Sequence, residues 1–276
     1  MIAWRGLQVL ALVSALCSCI ADDLSEIGRV FNTPTPEEAA RDALDPYDPN
    51  KRREGVVLLS TATFGGAAPY MKLYRDYTEH DPDPLVKAAA ITALGRHGTP
   101  EDAALIAPWL SMERSSHQHV RWCAALALQR LHDPGVVPDL IRSLTDAREV
   151  SEVHEAVCVA LGQYPEDRVV QGLLSSLDAR ELAVTTAAGQ SMHLLTGQDW
   201  GTDASAWSTW YRGELDGGKP FAGQLEYLYP TYRRDKVWWE HVAFWIDQRW
   251  EVPQPPAGIP SAARRTTWGD AAEGDG

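Results

Sequence analysis

Cysteine is scarce in this chain. There are four in 276 residues, and two of them, Cys17 and Cys19, fall within the first 19 positions. A small disulfide-stapled scaffold is thereby excluded. The other two, Cys123 and Cys158, fall inside predicted helices, and buried free thiols are the expectation for both. Positive charge is also in deficit, with 25 Lys and Arg against 38 Asp and Glu and a formal net charge of -13. That balance argues against nucleic acid, whose phosphates need clustered cations, and against a polybasic grip on anionic lipid. Long apolar runs are missing too. The longest, Gly6 to Leu16, is too short to span a bilayer. There is no Gly-x-Ser-x-Gly elbow, no Cys-Gly-x-Cys and no glycine-rich phosphate loop. No acidic stretch has the dense oxygen ligands and closing Glu of a calcium loop. No catalytic residue, metal ligand or cofactor is therefore assigned.

What the chain does contain is a repeat. Val86, Val120 and Val153 each start the same pattern, with apolar or small residues at +4, +7 and +8, as in Ala90, Ala93 and Leu94 of the first copy. This is one face of a helix with 3.6 residues per turn. The copies lie 34 and 33 residues apart (86 to 120, 120 to 153), a period that predicts stacked helix pairs. Predicted first helices span 84–97, 117–132 and 151–164, and their partners span 100–112, 134–145 and 166–177. Pro or Asp stands at the first turn of each second helix, where a missing N–H costs nothing and negative charge suits the helix dipole. An irregular pair between 48 and 77 precedes them, and 182–195 repeats the first-helix pattern once more.

The ends differ. Arg5 and the apolar run to Leu16 read as an export signal. Leu16-Cys17-Ser18-Cys19 resembles a bacterial lipobox, which makes Cys19 the expected lipidated first residue of the mature chain and 19–35 a tether. Eight of the eleven Trp lie at or after Trp200. Residues 213–252 read as an aromatic segment capping the open end of the stack, with Trp200, Trp207, Trp210, Trp238 and Trp245 as the cap residues. Residues 253–276 read as a disordered tail.

Two His-x-x-x-Cys pairs, His119/Cys123 and His154/Cys158, have the spacing that puts two metal ligands on one helix face. They lie 35 residues apart (119 to 154) where the repeat offset is 33, and two extra residues turn a helix by about 200°. The pairs should not face each other, so no metal site is expected. Asp81, Asp83, Asp199 and Asp203 read as helix caps rather than cation ligands.

The repeats resemble bacterial HEAT repeats. The run Leu195-Thr196-Gly197-Gln198-Asp199-Trp200-Gly201, followed by Trp207 and Trp210, resembles the ending of HEAT-repeat proteins and lipoproteins of bacterial envelopes. The resemblance covers 36–212. It implies an all-α, right-handed α-solenoid with a protein-binding scaffold or adaptor role, no catalysis and no cofactor. The partner would be a protein of the exported cell envelope, reached from a lipid anchor. HEAT-like repeats also occur in bilin lyases, so a subunit of an envelope enzyme stands as an alternative, as does a purely structural envelope protein. In such solenoids the second helices line the concave face, which makes Glu101, Arg142, Asp146 and Arg168 the expected contact residues.

Overall fold

The computed structural model describes residues 35–217, 220–225, 227 and 256–259. The expected signal segment, the Cys19 anchor and most of the tether lie outside them, as do Trp238 and Trp245.

Eleven α-helices follow one another among the described residues. They are α1 Pro36–Ala43, α2 Pro49–Thr61, α3 Ala68–His80, α4 Pro84–His97, α5 Pro100–Ile106, α6 Gln118–Leu128, α7 Val137–Thr145, α8 Ser151–Leu161, α9 Asp167–Ser176, α10 Leu182–Thr196 and α11 Ala204–Gly217. No strand is present among those residues beyond one isolated bridge, Leu131 with Ala257. No described helix is long and apolar enough to cross a membrane.

The chain forms an α-solenoid. The first helices α2, α4, α6, α8 and α10 stack in one layer, and their partners α3, α5, α7, α9 and α11 form the other. One contiguous apolar core runs from Ala39 in α1 to Tyr211 in α11. The repeat positions explain it. Val86, Ala90, Ala93, Leu94, Val120, Ala124, Ala127, Leu128, Val153, Val157, Ala160 and Leu161 are all 0% exposed. A stripe of this kind has no interior of its own and reaches full burial only against the next pair.

Helix ends follow local sequence. Asp83 Oδ1 accepts from the Leu85 and Val86 amides, Asp203 Oδ1 from Ser205 and Ala206, and Thr35 with Glu38 forms a reciprocal capping box. The second helices are less regular than their pattern suggests. Pro108 lacks an N–H, and the expected helix 100–112 becomes α5 followed by a 3-10 turn over Ala107–Leu110. The segment 134–145 likewise opens with a 3-10 turn, Pro134–Val136, before α7.

A polar ladder crosses the stack beside the apolar one. Arg52, Lys87 and Arg121 occupy equivalent places in α2, α4 and α6. Each donates to a carbonyl shortly before its own helix: Arg52 to Asp45 O at 3.1 Å and Arg121 to Ser115 O at 2.8 Å in the preceding connections, and Lys87 to Thr78 O at 3.0 Å in the last turn of α3. The two arginines also grip a carboxylate in the following connection with both arms. Arg52 binds Asp81 at 2.8 and 3.2 Å, and Arg121 binds Glu149 at 2.6 and 2.8 Å. Lys87 has Ser115 where the others have an acid, and its ammonium lies 4.0 Å from the Trp109 ring centroid instead. Burial, with Arg114 nearby, lowers the Lys87 pKa.

These contacts yield two stability predictions. Arg121→Ala leaves the Glu149 carboxylate buried without its partner and should cost about 3–5 kcal/mol in urea unfolding. Replacing Arg121 and Glu149 together by Met and Leu should cost much less. Gly189→Ala should cost about 1–3 kcal/mol, because its Cβ would meet the Gly201 carbonyl where α10 touches the loop before α11. A melting temperature unchanged in that variant would contradict the contact.

Candidate functional site

Among the grooves of the described residues are two that lie one on each helix layer. The first lies between the 3-10 turn Ala107–Leu110 and α7, with a volume of about 420 Å³. Arg142 and Asp146 line it, with Glu113, Asp139, Arg148 and Glu149. Most of its charges are paired. Arg142 donates to Asp139 at 2.5 Å and Arg148 to Asp146 at 2.6 and 2.9 Å, while Glu149 is held by Arg121. Hydrogen bonds from the Arg148 side chain and backbone hold the Asp146 carboxyl down to about 2.

The four expected contact residues therefore do not gather at one place. Glu101 and Arg168 stand in the first turns of α5 and α9, whereas Arg142 and Asp146 sit at the last turn and C-cap of α7. Arg168 is paired with Glu166 at 2.5 Å. Asp146 is half-buried rather than fully exposed.

The larger groove, about 760 Å³, lies on the first-helix layer and spans α6, α8 and α10. Trp122, Leu126, Ala156, Val159 and Ala187 form its apolar floor. Leu182 stands at its edge, 75% exposed. Glu152 and Glu155 project from α8 on the same wall. Gln129, the C-cap of α6, is buried in it. Its Nε2 donates to Ala156 O at 2.8 Å, and its Oε1 has no partner. The sequence reading missed this groove. The available signal was apolar residues six places after the repeat valine, Leu126 and Val159, where a one-faced helix should be polar.

The terminal motif is a structural joint. Gly197 ends α10 with φ +72° and donates to His193 O. His193 Nδ1 contacts Gln198 O at 2.7 Å, and Trp207 Nε1 donates to Gly201 O at 2.9 Å. Trp207 is fully buried and meets Trp210 edge to face, with ring centroids 5.9 Å apart. Trp200 is 43% exposed.

Beyond α11 the described residues run back along the repeats. Phe221 packs against the core, Leu225 N donates to Leu194 O at 2.7 Å, and Tyr227 is buried on Leu194 and Val159. Pro256–Ile259, part of the segment expected as a disordered tail, reach the end of α6. There Ala257 N donates to Arg130 O at 2.9 Å and His132 N donates to Ala257 O at 2.8 Å. The physical reason is that a helix end leaves backbone groups unsatisfied, and an extended passing chain can take them up.

Residues 71–152 and 106–193 match the family model of HEAT repeats. This part of the stack consists of HEAT repeats. The HEAT stack also resembles a solved structure, the complex of CpcE and CpcF of phycocyanin lyase from Nostoc sp. PCC7120. The identity is 21% and the TM-score 0.52, over 67% of this chain and 72% of that one. At that identity the likeness speaks for the fold. No curated protein matches the sequence.

The His/Cys pairs of the HEAT stack stay apart. Cys123 Sγ lies 3.8 Å from His119 Nε2. Among the described residues no three His, Cys, Asp or Glu gather as a metal group. Both cysteines are buried free thiols. Burial pushes Cys123 up to about 11 and Cys158 up to about 12. Because the thiolate is the nucleophile, both should resist iodoacetamide at pH 8 in the folded protein and label fully in denaturant, read by peptide mass spectrometry. Rapid labelling of either in the folded state would contradict their burial.

Proposed function

We propose that this chain is a protein-binding scaffold of the bacterial cell envelope, tethered by lipid on Cys19 and without catalysis of its own. The observation that carries the binding role is the geometry: a continuous stack held by its own core presents open grooves on both layers. An open groove shared by successive repeats suits an extended partner surface better than a small substrate, which favours an enclosing pocket. The HEAT match supports the same reading, as does the Nostoc complex, in which a chain of this fold is found with a second protein. The envelope location rests on the leader and on Leu16-Cys17-Ser18-Cys19.

The same likeness favours a second reading, a subunit of an envelope enzyme, since the Nostoc complex is of a lyase. The two separate by experiment. The full chain, crosslinked in native membranes and purified, should recover one protein partner in constant ratio. Alanine at Glu101, Arg142, Asp146 and Arg168 together tests the second-helix face: a drop in recovery of about tenfold or more would put the partner there, on the layer opposite the apolar groove. Undiminished recovery in the fourfold variant would remove those residues from the interface. Cys19→Ala should move the protein from the membrane to the soluble fraction, and unchanged membrane attachment would sink the lipid anchor.

A further inference from the structure

We propose that the groove on the first-helix layer is the docking site for a basic amphipathic helix of a partner protein. This inference rests on the scaffold reading and names its surface and its ligand class.

Three features lead to it. The floor, made by Trp122, Leu126, Ala156, Val159 and Ala187, is apolar and continuous across three successive first helices. Leu182 is left 75% exposed at its edge, the most exposed leucine of the described residues. The surface therefore gains by being covered with apolar side chains.

The second feature is the backbone of the walls. All three elements are helices, so their main-chain N–H and C=O groups are already used within each helix. An extended partner strand laid here would find no backbone groups to pair with, and its own would be stranded on an apolar floor. A helix brings its backbone bonds with it, which selects a helix over a strand.

The third feature sets the charge. The ionisable groups lining the groove are Glu152 and Glu155, three residues apart on one face of α8, and no Lys, Arg or His lines it among the described residues. Two carboxylates and no cation call for a Lys or Arg beside the apolar stripe of the occupant. An acidic stripe would be repelled here.

The test uses the full chain and a fluorescein-labelled synthetic helix of about 14 residues. One version carries Leu at i, i+3, i+4 and i+7 with flanking Lys, and the other has Glu in place of each Lys. Anisotropy should show the Lys helix binding at least about tenfold more tightly than the Glu helix. In the double variant Glu152→Lys, Glu155→Lys the preference should reverse, and Ala183→Arg should weaken the Lys helix about tenfold or more. All three positions are exposed, and unchanged circular dichroism checks the fold. Equal binding of both helices, or a preference that ignores the charge reversal, overturns the proposal. So does a dimer in light scattering that Ala183→Arg dissolves, because a second copy then holds the groove. If partner recovery from membranes persists while the helix preference fails, this inference falls and the scaffold reading stands. Loss of both removes both.

Discussion

The constraint on which everything else depends is that no single repeat can hide its apolar stripe. Val120, Ala124, Ala127 and Leu128 of α6 reach zero exposure only because neighbouring helices close over them. Stability is therefore shared between neighbours rather than stored within units. The dense alanines of the first helices bring backbones close, and they leave little side-chain volume for correcting a misplaced neighbour.

Arg52, Lys87 and Arg121 supply a second kind of register. An apolar stripe tolerates a small slip along its neighbour. A bidentate arginine–carboxylate pair does not, since both parallel hydrogen bonds must be made at once. Each ladder residue also ties down a carbonyl, in a connecting segment or in the last turn of a helix, that helix geometry leaves without a partner. Where the acid is replaced by Ser115, an aromatic face takes the cation at the same level of the stack.

The same economy of faces creates the grooves. A solenoid helix has an inner stripe against the core and an outer face toward solvent. In α6 and α8 the outer face is partly apolar as well, through Trp122, Leu126 and Val159. Those side chains are surplus to the stacking requirement. On the second-helix layer the opposite holds: Arg142 is paired with Asp139 and Arg148 with Asp146, and their charges are largely spent locally. A face with matched ion pairs offers a partner less than one with uncovered apolar surface and two glutamates that no cation in the groove meets.

The linear order of residues was enough to determine the helical class, the repeat period, the inner face of each helix and the caps at Thr35, Asp83 and Asp203, because all of these follow from spacing within one turn or one repeat; Asp81 and Asp199, also read as caps, instead bind Arg52 and the Gly201 amide. It also marked the glycine-rich joint after α10. It did not reveal that Pro108 would shorten α5 into a 3-10 turn, although the proline itself was visible. Tertiary packing alone decided the rest. Arg121 meets Glu149 across 28 positions, Ala257 returns to Arg130, and Gln129 reaches the Ala156 carbonyl beside two glutamates of the next repeat. Contacts between residues far apart in the chain depend on how the helix pairs stack, and periodicity specifies which face turns inward without specifying what the outward faces bring together.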